Sequence, residues 1–233
     1  AHGGWWFPGG GWASPGSVCN ALLAAGGNLI QSHFNTDVFS LRQTEDGWQV
    51  SDAEGKVLAS APQVILANAC SANRLLSMDL PLMPIRGQIS CLPKDLAENI
   101  NTSLRHVICR SGYVTPPQVG VVSVGASFDR DDTDLRMRAV DHVGNMQRLD
   151  ELLPGAAQGI DPVRLGGRVG LRAAAPDRLP LIGTLPDTSA ITGTAATLDN
   201  LPRLNGLHAL LGLSARGLVW APMAAELLAS QMH

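Results

Sequence analysis

The stretch that most constrains this chain is LLGLSARGLVWAPMAAELLASQM, Leu210 to Met232. Leu207 to Leu211 is short, apolar and bounded by glycines, which predicts a buried strand. Gly212 and Gly217 permit a tight reversal. Leu218 to Met232 then carries apolar residues all round, with Glu226 as its one charge, which predicts a packed helix. A strand, turn and helix in that order aim the first free N–H groups of the helix outward. Those donors and the positive end of the helix dipole suit an anion or an electron-rich carbonyl. The plainer reading, a buried C-terminal helix with nothing at its tip, fits the same residues.

The rest of the chain can be read around this element. Ser14-Pro15 starts a helix with a capping side chain followed by proline, Val18, Leu22 and Leu23 give it a face to bury, and Gly26-Gly27 stops it. Asn28 to Phe34 predicts a strand. Val38 to Arg42, Trp48 to Asp52 and Val57 to Ser60 predict a three-stranded meander, turned at Asp46-Gly47 and Glu54-Gly55. Gln63 to Asn68 is apolar enough for the interior of a parallel sheet, and Ser71 is placed to cap the short helix after it. Pro81 and Pro84 mark a change of character. GQISCL, RHVICR, GYVTP and VGVVSVGASF follow as strands, and a helix over Arg136 to Leu153 ends at Pro154-Gly155. Near the start, Trp5, Trp6, Phe7 and Trp12 stand among glycines. They read as a core-capping loop, since a stacking platform for bases needs arginine or lysine nearby.

Composition narrows the function classes. A formal charge of −3 with scattered basic residues advertises no autonomous nucleic-acid surface. The C-terminal run is broken by Pro222 and Glu226, which argues against a membrane span, and no secretory signal is read. Cys19, Cys70, Cys91 and Cys109 form no C-x-x-C pair and read as buried reduced thiols, hence a cytoplasmic protein. The six histidines form no ligand cluster, so no metal is expected. Opening on Ala1 rather than Met, the sequence is expected to be a cut from a longer protein.

RVGLRAAAPDRLPLIG, Arg168 to Gly183, is the most informative internal stretch. Arg172 lies between apolar residues with no carboxylate before Asp177. Burying such a cation requires an anion, and arginine suits a carboxylate held by two parallel hydrogen bonds. A structural ion pair and a ligand carboxylate both meet that need.

PIRGQ (Pro84 to Gln88), GYVTP, VGLRAAAPDRLPLIG and GLSARGLVWAP, with FPGGGWASPGSVCNALL before them, resemble the FAD-dependent amine oxidoreductases of the D-amino-acid oxidase and glycine oxidase type. The likeness is nearest to the tRNA-modifying oxidase domains among them. The resemblance implies an α/β fold of mixed character: a doubly wound FAD-binding lobe (14–78 and 176–233) and a β-rich antiparallel substrate lobe (1–13 and 79–175). It implies FAD contacts at Val38 and across Leu213, Ser214, Ala215, Arg216, Gly217, Leu218 and Val219. Arg172 matches the clamp on a substrate carboxylate, Tyr113 a substrate-facing tyrosine, and Arg86 with Gly87 a strand beside the flavin ring. The implied reaction oxidises a carboxymethylaminomethyl group on the wobble uridine of tRNA and releases glyoxylate, with a fused methyltransferase domain as partner. A stand-alone glycine or D-amino-acid oxidase and a non-catalytic substrate-binding fragment are the alternatives. The family's opening G-x-G-x-x-G is absent from this sequence, so the FAD lobe is expected to lack its N-terminal βαβ unit.

Overall fold

In the computed structural model, residues 3–97, 100, 104–191 and 197–232 are described. Packing divides the chain into two compact units: Ala1–Gly27 with Ile85–Leu171, and Asn28–Pro84 with Arg172–His233.

The first unit is built on an antiparallel sheet. Its order is β10 (Gly166–Ala174), β5 (Met83–Pro93), β8 (Val121–Gly125), β7 (Tyr113–Val114) and β6 (Ile108–Cys109), with β9 (Asp129–Arg130) also on β5. Side chains alternate across a strand, so Arg86, Gln88, Ser90 and Leu92 share one face of β5. Against that face lies α2 (Ala139–Leu152), which buries Met146, Leu149 and Leu152 with Leu92, Val114, Val122 and Val124. The helix starts at Ala139 and not at Arg136. Arg136 and Arg138 are committed to Asp134 and Asp132 in the preceding loop, which holds the backbone out of the helix until Ala139.

The second unit contains the meander and a three-stranded sheet. The turns at Asp46-Gly47 and Glu54-Gly55 join β1 (Ser40–Thr44), β2 (Gly47–Ser51) and β3 (Val57–Ala61) as expected, with Gly47 at φ 133°. In the other sheet, β12 (Arg203–Leu211) pairs antiparallel with β11 (Leu181–Pro186) and parallel with β4 (Val64–Leu66). Trp48, Leu66, Ala72, Leu80, Leu185, Leu207, Ala209 and Leu211 form its core, and the Trp48 indole donates to the Asn205 carbonyl at 2.9 Å.

Several expectations change here. Among the described strands β4 stands at the edge of its sheet and Ile65 is exposed, whereas its apolar run predicted an interior strand. Asn28 to Phe34 forms no strand; Gly27–Leu29 is a 3-10 turn, and Leu29, Ile30 and Phe34 are exposed. Without a neighbouring strand in the described residues, an extended segment there has no ladder to join. The helix α1 (Pro15–Gly26) is capped by Ser14 as predicted, yet it buries no residue, and Leu22 and Leu23 are exposed. Ser71 does not cap the short Ala69–Arg74 turn, which Asn68 precedes without a side-chain bond. The aromatic segment caps no core: Trp5 is 92% exposed and Trp6 64%. Cys19 and Cys109 are exposed rather than buried, although all four cysteines are free thiols.

Candidate active site

In the second unit the expected strand, turn and helix are present. Gly212 (φ 73°) and Ser214 (φ 51°) turn the chain out of β12 through a 3-10 segment, Ser214–Arg216, into α3 (Gly217–Gln231). No side chain caps the N-terminus of α3. The first N–H groups of an α-helix have no acceptor within that helix, and the 3-10 turn leading in begins with the Arg216 N–H donating to the Leu213 carbonyl at 3.1 Å. The helix packs less than its sequence predicts. Ala224 and Leu228 are buried, while Leu218, Val219, Met223 and Leu227 are exposed.

Arg172 reaches the same place by another route. Ala174, two residues on along β10, forms an isolated antiparallel bridge with Leu213. Residues two apart share a strand face, and bridged partners point the same way. The Arg172 strand thus meets, at Ala174, the turn that opens α3. Arg172 is half-buried, and Ala173, Ala174 and Ala175 beside it are buried. Val38, half-buried, leads into β1, and the Phe39 N–H donates to the Ser51 carbonyl at 2.8 Å.

In the first unit, Tyr113 lies over Gly125. Cross-strand pairing aligns Ile89, Gly125 and Tyr113 in one row, and a Cβ added at Gly125 would sit 3.1 Å from the Tyr113 hydroxyl and 2.9 Å from Ile89 Cγ2. Only glycine lets the ring settle there.

Arg86 lies inside the packing of the sheet against α2. Three residues from Ile89, it points to the opposite face of β5, toward α2. It is 0% exposed, and its guanidinium is occupied: Nε donates to the Asp134 carbonyl (2.6 Å), Nη1 to Asp141 (2.7 Å), and Nη2 to the Arg136 carbonyl (2.7 Å) and to Gln88 Oε1 (3.1 Å). Strand alternation is the physical reason, since an odd offset puts Arg86 and Tyr113 on opposite sides of one sheet.

Sequence reading missed the rest of that ladder. Gln88 Nε2 donates to the Arg138 carbonyl and Gln88 Oε1 accepts from the Arg138 N–H, at 2.8 and 2.9 Å. Ser90 and His142 Nδ1 share a 2.8 Å hydrogen bond, and Asn145 donates to Ser90 Oγ. Burial pushes the His142 imidazole below its usual range, partly opposed by Asp141. The signal available in sequence was R-x-Q-x-S, polar residues at every second position of a strand otherwise apolar. Across the loop, Asp134 is held far below the usual carboxylate range, first by the Arg136 side chain and also by Arg138.

Among the described residues, no cluster of three or more His, Cys, Asp or Glu is placed to hold a metal; His2 and His233 lie outside them. No described helix is long and apolar enough to cross a membrane.

The residues present fit one end of a flavin. An uncapped helix N-terminus preceded by left-handed turn residues is chemically suited to the carbonyl-rich pyrimidine edge.

The family described as FAD dependent oxidoreductase (DAO) matches residues 1–231. The tRNA 5-methylaminomethyl-2-thiouridine biosynthesis bifunctional protein MnmC of Azoarcus sp. (strain BH72) is 44% identical over 231 residues, covering 99% of this chain and 35% of that protein. The protein of the same name from Ralstonia nicotianae is 41% identical, covering 99% of this chain and 37% of its own length. The chain therefore spans little more than a third of these relatives. Among solved structures, glycine oxidase from Geobacillus kaustophilus shares the fold at TM-score 0.62 and 20% identity, over 84% of this chain and 47% of that one. Iminodiacetate oxidase from Chelativorans sp. BNC1 superposes at TM-score 0.63 and 25% identity, over 84% and 49%. By sequence match over nearly its whole length, and by a mixed α/β fold shared with these amine oxidases, the chain belongs to the FAD dependent oxidoreductase family.

Proposed function

We propose that this chain is the oxidase part of a tRNA-modifying enzyme that acts on a carboxymethylaminomethyl group of the wobble uridine. The methylene carbon loses a hydride and the nitrogen a proton, giving an imine. Water then adds, the C–N bond breaks, and glyoxylate leaves an aminomethyl-uridine behind. Bound FAD supplies the acceptor for the two electrons. The observation that supports this most is the Ala174–Leu213 bridge, which joins the Arg172 strand to the turn opening α3. In this reading Arg172 grips the substrate carboxylate through two hydrogen bonds and so fixes the methylene in a reactive position.

Leu213 to Val219 hold the pyrimidine edge of the cofactor through the α3 N-terminus, which also stabilises negative charge there. Val38 contacts adenine through its backbone, Tyr113 faces the substrate, and Arg86 acts as a scaffold for the sheet. The tRNA assignment draws on the names of the relatives, and the fused partner is read as a methyltransferase that consumes the aminomethyl product. The cradle for the FAD pyrophosphate belongs to a βαβ unit outside this sequence. The neighbours named for glycine and iminodiacetate favour a second reading, a free amino-acid oxidase.

The test uses the intact parent protein. Arg172→Ala keeps the flavin absorption bands and lowers kcat/KM on carboxymethylaminomethyl-tRNA by on the order of 10²-fold, as expected when a substrate loses its alignment. Unchanged turnover removes Arg172 from the clamp. Turnover of free glycine with none on tRNA selects the second reading.

A further inference from the structure

In the first unit, a cleft of about 960 Å³ runs between residues 3–7 and the segment leading into the β6–β7 hairpin. Trp5 and Trp6 line it, and so do Arg105, His106 and Arg110. All five side chains are exposed. The Trp6 and His106 rings meet edge to face, with centroids 4.6 Å apart and planes at 86°. That contact favours one orientation of the Trp6 ring.

We propose that Trp5, Trp6, Arg105, His106 and Arg110 form a platform for the unpaired bases of an RNA loop. The inference rests on the tRNA reading above and names the surface that would meet the nucleic acid. Three observations converge on it. The exposed apolar groups here are flat aromatic rings, and rings stack on bases of any sequence. Arginine and histidine side chains stand beside the rings. Two arginines against the one carboxylate in the cleft, Glu151, favour a polyanion, and the Ser111 hydroxyl already donates to Glu151 at 2.8 Å. The platform also adjoins the Tyr113 strand. Arg110 follows Cys109, which pairs with Tyr113 across the hairpin. A loop stacked on the tryptophans would therefore present a neighbouring base toward the Tyr113 strand.

The experiment uses the intact protein and two RNA probes, a stem-loop with an unpaired uridine-containing loop and a fully paired duplex of equal length. Fluorescence anisotropy reports their affinities. Trp5→Ala with Trp6→Ala weakens the stem-loop by about 10-fold per tryptophan and leaves the duplex little changed, as expected when stacking on unpaired bases is lost. Trp6→Phe, which keeps an aromatic face, retains most of the affinity. Arg105→Ala and Arg110→Ala each lower the salt dependence of stem-loop binding by about one ion.

Flavin absorption measured beside each variant shows that the fold survives. Undiminished stem-loop binding in the double tryptophan variant overturns the platform, as does equal loss for both probes or a wild-type protein that binds neither. If the platform fails while carboxymethylaminomethyl-tRNA is still oxidised, the reaction stands and the docking surface lies elsewhere. If the platform holds while that tRNA is not oxidised, RNA binding stands and the proposed reaction falls.

Discussion

Replacing Arg86 by methionine separates its role in folding from a role in chemistry. The side chain is fully buried, and the side chain of its closest charged partner, Asp141, is only 10% exposed. Methionine fills much of the space but offers no donor. Asp141 is left without a counter-charge, at a cost of about 3–5 kcal/mol. The carbonyls of Asp134 and Arg136 each lose a charged donor, at about 1–3 kcal/mol apiece when they stay dry. These losses share one site and are not additive.

An overall destabilisation near 4 kcal/mol is expected, which for a domain of about 150–250 residues lowers the melting temperature by about 8–16 °C. Urea denaturation of the intact protein, followed by tryptophan fluorescence, gives the free energy directly. Arg86→Met combined with Asp141→Leu replaces both charges by apolar groups and recovers a large part of the loss, because no buried charge is stranded. A single variant within about 0.5 kcal/mol of wild type would refute the reasoning, since only surface positions away from such networks behave that way. Additive losses in the double variant would refute it too. Lost turnover with unchanged stability would return Arg86 to the chemistry.

Gly125→Ala drives a methyl group into Tyr113 and Ile89, costs about 1–3 kcal/mol by overpacking, and shifts KM if the ring moves; an unchanged melting temperature counts against the contact. Gly206→Ala is worse placed, at φ 75° with the new Cβ 2.3 Å from the Pro62 carbonyl oxygen. Its denaturation midpoint should fall further than that of Gly125→Ala. His142 and His208 are both held below the ordinary imidazole range by burial. The unfolded chain then binds protons at about pH 6.5 that the folded chain refuses, so stability falls as pH drops below that value and is flat above it. Denaturation midpoints across this window, with His142→Asn and His208→Gln flattening the slope, check the sign.

The parts that were legible in the sequence are those where local chemistry decides. Ser14-Pro15 capped α1, the Asp-Gly and Glu-Gly pairs turned the meander, and Gly212 opened the reversal before α3, where Ser214 and not Gly217 takes the second left-handed position. What escaped depends on neighbours that a linear reading does not supply. Asn28 to Phe34 has the residues of a strand but no ladder. Ile65 has the hydrophobicity of an interior strand but stands on an edge. The start of α2 moved because two arginines found aspartates in the loop before it. Arg172 and the α3 turn were each identifiable separately. Their proximity depends on the Ala174–Leu213 bridge, a contact between residues far apart in sequence. The burial of Arg86 was not legible because a motif names a residue and does not say which face of its strand the side chain takes.

The two faces of β5 explain why that distinction matters for function. Toward α2 the strand presents Arg86, Gln88 and Ser90, each tied by hydrogen bonds to the helix or to the loop that leads into it. Satisfied buried polar groups of this kind tolerate little displacement, because a shift that breaks one bond strands its partner. The opposite face carries Ile89, aligned with Gly125 and Tyr113 in one row. There the backbone is left open by glycine, and the position of the ring is set by how closely β7 and β8 approach. A tyrosine laid over a glycine sits close to the backbone beneath it, here beside Ile89. Its placement therefore depends on a strand anchored from the other side, and the polar ladder is the anchor.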